Sequence, residues 1–352
     1  MTGLRRPPLP RVEDRIGMRY GAGGRAMRAL IEGVLAEGFA AAPATADTVG
    51  LSAYDDGAAF RVGEEWFVLT TDSHVVHPIE FPGGDIGRLS VCGTVNDLAM
   101  MGATDVMGLT CAVIVEEGFA RATLERLHAS MREACAEAGA TIVTGDTKVM
   151  GRGELDGIVL NTTGLGRTRH LVRDNGLRPG DLVIVTGTLG DHGLAIMARR
   201  HDLALEGDLC SDVAPLNGLV RAAMTAGGDD LSAMKDPTRG GLASALHEMA
   251  EKSGVGIAID ERAVPVRDEV RAAAELLGLD PLHIANEGKA VIGVRPEAAP
   301  RVLAALHAHP LGRAAAIIGR AVADHVGVVV LDTGIGRRLV AEPEGEPLPR
   351  IC

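Results

Sequence analysis

Two periods of apolar spacing alternate along this chain, and the alternation runs through it twice. After a ragged polar arm (residues 1–16, with Pro7, Pro8 and Pro10), the glycines Gly21, Gly23 and Gly24 lead into RAMRALIEGVLAEGF, whose apolar spacing is helical. AAFRVG and EEWFVLTTDS then alternate as strands. Residues 85–101 read as a helix through a buried, small-residue face, and GLTCAVIVEEG as another strand. Over 120–138, Leu124, Leu127, Met131, Ala134 and Cys135 share one face of a helix, and TIVTGDTK and GIVLNTTGLG close the first half as strands. A turn-rich break from Gly176 to Gly180 is the best boundary. The second half repeats the logic: strand DLVIVTG, helix 191–200, helix GGLASALHEMAEKSG, strand GVGIAID, a largely helical 264–278, strand KAVIGV, helix 297–308, then strands AAIIGRAV and VGVVVLD. This predicts an α/β (α+β) protein of two domains, 17–168 and 177–338. Residues 339–352 differ. AEPEGEPLPRIC carries three prolines and three glutamates and little to bury, so it reads as an extended, flexible tail of ~35–40 Å reach.

Composition narrows the class. Hydrophobic residues make up 46% and charged residues 23% of the 352 residues, ordinary for a globular chain, but aromatics are only 2%, so Ala, Val, Leu and Ile must build the core. The net charge of −12 without a basic stripe argues against nucleic acid. No apolar run approaches the roughly 20 residues of a membrane span, and no signal-peptide core follows the first residues, which points to the cytoplasm. The five cysteines include no CxxC, against a disulfide framework or zinc site. Four read as small buried hydrophobes; the fifth, Cys352, ends the chain and has no core to fill.

The chemistry lies in carboxylates at strand ends beside small or hydroxyl residues: Asp55-Asp56-Gly57, Thr70-Thr71-Asp72-Ser73, Asn96-Asp97, Gly145-Asp146-Thr147-Lys148 and Asp236-Pro237-Thr238-Arg239-Gly240-Gly241. Hard oxygen donors of this kind suit Mg²⁺ bridging carboxylates to substrate phosphates, with Asp55, Asp72, Asp97, Asp146 and Asp236 the candidate ligands. Gly240 and Gly241 open an apolar-periodic helix, where an anion would be held. Lys148 and Arg239 offer fixed positive charge. Taken singly, each Asp reads as a turn or cap residue. Five clusters in one chain favour a phosphate site, although none fits a Walker A or Rossmann fingerprint.

In this order, these motifs resemble the superfamily of aminoimidazole ribonucleotide synthetase, selenophosphate synthetase and thiamine monophosphate kinase. Within it, TTDSHVVHPIEFPGGDIG, VTGDTKV, VTGTLGDHG, DPTRGG, IANEGK and the terminal PRIC resemble the HypE family of hydrogenase maturation proteins, from about residue 17 to the end. The resemblance implies ATP and Mg²⁺ bound by an N-terminal domain that also dimerises, in a homodimer. It implies that Cys352 receives a carbamoyl group from the carbamoyltransferase HypF, that ATP drives its dehydration to a thiocyanate, and that the cyanide passes to a HypC–HypD complex. HypE proteins usually carry His before the glycine loop, where this chain has Tyr20.

Dehydration needs a base near the bound tail. Glu287, in IANEGK, is the first candidate, with a loop salt bridge to Lys289 as its alternative. His192 is the second, beside Asp191 as a possible helix cap. Two rival functions remain at this level: a small-molecule kinase or synthetase of the same fold that ignores Cys352, or a nucleotide-sensing scaffold with a docking tail.

Overall fold

The computed structural model describes residues 8–21, 23–39, 46–203, 208–343 and 350–352. Its first half contains α1 (Gly24–Leu30), β1 (Thr48–Val49), β2 (Ala58–Val62), β3 (Glu65–His74), β4 (Glu80–Phe81), β5 (Gly84–Asp85), α2 (Ile86–Met100), β6 (Asp105–Glu116), α3 (Arg121–Ala138), β7 (Ile142–Met150) and β8 (Ile158–Thr168). The second contains β9 (Leu182–Val185), α4 (Asp191–Arg200), α5 (Asn217–Gly227), β10 (Leu231–Lys235), α6 (Gly241–Ser253), β11 (Gly256–Asp260), α7 (Asp268–Leu277), β12 (Val291–Val294), α8 (Ala299–Ala308), β13 (Ala316–Val322), β14 (Val329–Asp332) and β15 (Arg337–Leu339). The mixed α/β class expected from the periodicity is the class observed.

Each half is built on one sheet. The first has the order β1-β2-β3-β8-β6-β7, and the second β10-β12-β9-β13-β11-β14-β15. In the first, only β6 and β7 run parallel, joined by the α3 crossover. Helix α2 is buried nearly all round because small residues let it be approached on every side. A Cβ on Gly87 would lie 2.4 Å from the Leu127 carbonyl of α3, and one on Gly93 would meet His74 and Asp72 of β3. Asp85 caps α2 by accepting from Arg88 N–H at 2.9 Å. Helices α2 and α3 cover one face of the first sheet. Among the described residues the other face stays open, with Phe60, Leu69 and Leu165 exposed on it.

Four expectations change. The helix expected over 25–39 stops at Leu30 and continues as a π-helical turn, Ile31–Leu35, around Gly33, which weakens the helix there. Helix α5 and strand β10 fill a stretch to which the pattern assigned nothing. The α5 signal was present in Leu219, Val220 and Ala223 before the Gly227-Gly228 stop. Strand β15 takes Leu339 into the second sheet, and Val340 is buried behind it, so the tail begins later than residue 339. Of the tail expected to be flexible, residues 344–349 lie outside the described residues, while 350–352 are seated on the body. The first seven residues of the N-terminal arm also lie outside the described set; Pro8 O accepts from Arg25, so the arm's described end folds back on α1. Among the described residues, no helix is long and apolar enough to cross a membrane.

Candidate active site

A cavity of about 620 Å³ opens where the two halves meet, and four of the five sequence clusters send residues to it. The end of β3 contributes Thr70, Thr71 and Asp72; α2 contributes Asp97; the loop before β2 contributes Asp55 and Asp56. From the second half come Asp236, Thr238 and Arg239, followed by α6, whose N-terminus faces the cavity through Ser244 and Ala245. Gly240 and Gly241 both have positive φ (79° and 61°), and a Cβ on Gly241 would lie 2.6 Å from the Ile284 carbonyl. Only glycine makes that turn in that space.

The carboxylates crowd one another. Burial, then the charges of Asp236, Asp72 and Asp56, push the Asp97 carboxyl well above its usual range. Burial and Asp56 lift Asp236 to about 7. One buried oxygen of Asp56 has no hydrogen-bond partner. Hard oxygens that repel one another in this way fit a divalent cation, which would relieve the repulsion. No three acidic, His or Cys donors among the described residues stand close enough together to hold an ion unaided. Mg²⁺ commonly takes one or two carboxylates and completes its shell from phosphates and water. Asp55 is partly engaged already, accepting from Arg173 Nε at 3.1 Å.

Cationic partners that the sequence reading missed line the same cavity. Lys235 lies 2.6 Å from Asp56 and 3.3 Å from Glu248. Burial alone would lower its pKa, but Asp56, Glu248 and Asp174 hold it well above the usual lysine value. Lys252 sits 2.5 Å from Asp174 and also reaches the Tyr54 carbonyl. The available signal was local: Lys235 immediately precedes the Asp236-Pro237 motif.

The chain terminus enters this cavity. Cys352 lines it together with Glu287. The last three residues lie against the segment after β3: Val75 N–H donates to Cys352 O at 3.2 Å, and His77 N–H donates to Arg350 O at 3.1 Å. The Ile351 side chain is buried in a core cluster shared by both halves, with Val76 and Ile86 from the first and Leu194 and Ile196 from the second. Arg350 pairs with Asp156 and donates to Val75 O, and Arg200 donates to Arg350 O at 2.8 Å. His192, the second residue of α4, reaches Ile351 O at 2.8 Å through Nε2 and Ser211 Oγ at 2.7 Å through Nδ1. A carbonyl can only accept, so Nε2 carries the proton and Nδ1 accepts from the Ser211 hydroxyl. Burial pushes the His192 pKa down, consistent with this neutral tautomer.

Glu287 is buried, and one of its carboxyl oxygens, Oε1, has no hydrogen-bond partner. Burial first, then Asp236, Asp72 and Asp212, raises its pKa well above the carboxylate range. The alternative reading of Glu287 as a salt-bridge partner of Lys289 does not hold: Lys289 pairs with Asp212 at 2.9 Å. Asp191 is likewise not the cap of α4. Gly190 holds that position, and Asp191 pairs with Arg267 at 2.6 Å.

One predicted pair is split, and one predicted cluster stands elsewhere. Asn96 does not line the cavity. Its amide donates to Ala214 O at 3.2 Å and Glu287 O at 3.0 Å and accepts from Leu216 N–H at 2.7 Å, which leaves nothing for a ligand. Gly145, Asp146, Thr147 and Lys148 lie on the edge strand β7, outside the cavity, with Asp146 and Lys148 exposed and paired at 3.0 Å. Gly145 is glycine for packing, since a Cβ would fall 2.1 Å from the Cys111 carbonyl of β6.

Both halves match the family described as AIR synthase related protein, the N-terminal domain over residues 54–168 and the C-terminal domain over 178–332. Carbamoyl dehydratase HypE of Rhizobium leguminosarum bv. viciae is 50% identical over 341 residues, 96% of this chain and 95% of that protein. The chain belongs to the HypE family. Carbamoyl dehydratase HypE of Escherichia coli (strain K12) is 43% identical over 341 residues, 96% of this chain and all of its own length (100%). A HypE–HypF complex structure aligns with a TM-score of 0.82 at 43% identity, covering 90% of this chain and 100% of the other. A HypE structure in complex with ATP aligns at 0.78 and 41% identity, covering 95% and 99%. The resemblance read from the motifs is thereby borne out. At the position where HypE proteins were expected to carry His, Tyr20 is buried and its hydroxyl accepts from Glu13 N–H at 2.7 Å, tying the arm to the glycine loop.

Proposed function

We propose that this HypE-family chain uses ATP to dehydrate an S-carboxamide on its own Cys352 to a thiocyanate. The observation that carries this reading is the seat of the chain's last residue in the same cavity as Asp72, Asp97, Asp236 and Glu287. A thiol with no part in the chemistry would have no reason to be held among these carboxylates. The ATP-bound HypE structure supports nucleotide as the co-substrate, and the HypE–HypF complex supports HypF as the carbamoyl donor.

In this reading the amide oxygen of carbamoylated Cys352 attacks the γ-phosphorus and ADP leaves. Loss of an N–H proton gives an S-bound imidate carrying phosphate on oxygen. Loss of the second N–H proton then expels phosphate and forms S–C≡N. The sum is carboxamide plus ATP to thiocyanate plus ADP, phosphate and one proton. Phosphate leaves far more readily than hydroxide would. Glu287 takes a proton from nitrogen, and its partnerless oxygen in a buried setting suits a base with a raised pKa. His192 holds the tail by the Ile351 carbonyl, while Arg239 and the start of α6 face the phosphates. One or two of the carboxylates Asp72, Asp97 and Asp236 would hold Mg²⁺, which would neutralise phosphate charge, with Asp55 beside them tied to Arg173. Asp146 and Lys148 reach the nucleotide only across a homodimer interface. The tail then leaves the cavity to give its cyanide to a HypC–HypD complex in the cytoplasm.

The test is the mass of the C-terminal peptide after HypF-dependent carbamoylation, with and without Mg-ATP. Loss of one water that requires ATP hydrolysis is the expected result. A carbamoyl group that persists would favour a scaffold, and an unmodified Cys352 would favour a small-molecule kinase or synthetase.

A further inference from the structure

The side chain of Glu287 has few ties of its own, so whatever fixes its backbone fixes the carboxyl. Both backbone groups are bound across the molecule. Glu287 N–H donates to Asp212 Oδ1 at 3.0 Å, and Glu287 C=O accepts from Asn96 Nδ2 at 3.0 Å. Asp212 is fixed in turn: its second oxygen accepts from Lys289 Nζ at 2.9 Å, and its side chain is 5% exposed. The two segments are in tight contact, because a Cβ on Gly288 would lie 1.8 Å from the Asp212 carbonyl oxygen. Ser211, one residue earlier, donates to His192, which holds the carbonyl next to Cys352. One dipeptide therefore sets both the residue that grips the tail and the backbone of the carboxylate facing it.

We propose that Asp212 is a positioning residue for the reaction, holding Glu287 in register with the docked terminus through the Glu287 N–H and the Lys289 ammonium. The inference rests on the reading of Glu287 as the base. Asp212 does not line the cavity; one oxygen is closed by Lys289 and the other by the Glu287 N–H, and its charge also faces His192, so its effect on the reaction is indirect. In Asp212→Asn the shape is kept, but an oxygen turned to Glu287 N–H leaves an amide N–H facing the Lys289 ammonium. The bracket must then shift.

The experiment uses full-length protein carbamoylated at Cys352 and follows thiocyanate formation by peptide mass against ATP concentration and pH, with Glu287→Gln in parallel. Asp212→Asn is expected to lower kcat by about 10- to 100-fold, the scale of a small misplacement of a reacting group, with an unchanged KM for ATP. The rising limb of its pH profile should move to lower pH. Asp212 is one of three carboxylates, with Asp236 and Asp72, that keep Glu287 protonated, against Arg239 on the other side. Adding Asp212→Asn to Glu287→Gln should cost nothing further. If Glu287→Gln is dead while Asp212→Asn keeps the wild-type rate and profile, the positioning role is overturned and the base reading stands. If Glu287→Gln reacts like wild type, the base reading falls and the positioning role with it. A rate loss without a pH shift, additive with Glu287→Gln, would mark Asp212 as merely structural and overturn the proposal. Should Asp212→Asn fail to unfold cooperatively, Lys289→Gln, which keeps a donor toward Asp212, carries the kcat comparison at smaller amplitude; with the ammonium charge gone, its rising limb should move to higher pH instead.

Discussion

At the scale of single residues, His192 carries a consequence for stability. It is fully buried with both ring nitrogens engaged, and burial depresses its pKa; His74, beside Asp72 at 3.5 Å, is depressed by burial as well. An unfolded imidazole takes up its proton near pH 6.5, whereas these two refuse it until the pH is lower. Between those values the unfolded chain binds more protons, so stability rises with pH across the window and falls as pH is lowered from about 6.5. Over the same window the raised carboxyls of Asp97, Asp236 and Glu287 work in the opposite sense, so the His192 contribution is read by difference from a variant that lacks it. Between pH 7.5 and 5.5, denaturant unfolding of His192→Gln, whose amide can still donate to Ile351 O, should respond less unfavourably to acidification than that of the unmodified chain. Equal responses in the two proteins would mean that His192 does not titrate between the folded and unfolded states. The sequence made His192 visible only as a histidine beside a helix start. Its partners, Ser211 and the Ile351 carbonyl, lie 19 and 159 residues away, and no local pattern names them.

At the scale of elements, the terminal tripeptide is held by two backbone hydrogen bonds and one apolar anchor. Ile351 is 2% exposed and shares its core with Val76 and Ile196. Truncating a buried Ile to Ala costs about 2–5 kcal/mol. Much of that falls on docking, because the body's fold does not otherwise depend on the last three residues. Ile351→Ala should raise the rate of Cys352 alkylation by roughly 30-fold or more, read on the C-terminal peptide, if about 2 kcal/mol is lost from the docked state. An unchanged rate would mean that the backbone bonds to Val75 and His77 hold the tail without the anchor. Legibility divides along the same line. The strand and helix periods were readable because burial on one face is a local property, as in α3. The carboxylates at strand ends were readable because aspartate beside glycine or threonine at a turn is a local signal. Gly145 carried the same signal for another reason, the Cys111 carbonyl on the next strand. Asn96 was grouped with Asp97 by adjacency, but a helix turns successive residues to different faces, so Asp97 meets the cavity and Asn96 meets Glu287, 191 residues on.

At the scale of the whole molecule, the first sheet is covered on one face only among the described residues. On the other, Leu69 stands opposite Leu165 in register, each more than a third exposed, with Phe60 beside them. Thr71 and Asn161 continue that face toward the cavity end of β3, and Asp146 and Lys148 project from it on β7. A half-apolar open sheet is unfavourable in water, and a second copy of the same face is a natural cover. Such a dimer would bury the leucines and bring Asp146 and Lys148 toward a nucleotide site that they do not reach within their own chain. Leu69→Lys with Leu165→Lys would place like charges at the centre of that contact. Each side chain is partly exposed, so the fold should change by no more than about 0.5 kcal/mol per site. Sedimentation should then give a monomer where the unmodified chain gives a dimer. ATP-dependent water loss at Cys352 should fall together with the dimer, while unfolding stays cooperative. A double variant that remains dimeric would put the interface on another surface, and Asp146 and Lys148 would then be ordinary exposed residues of an edge strand.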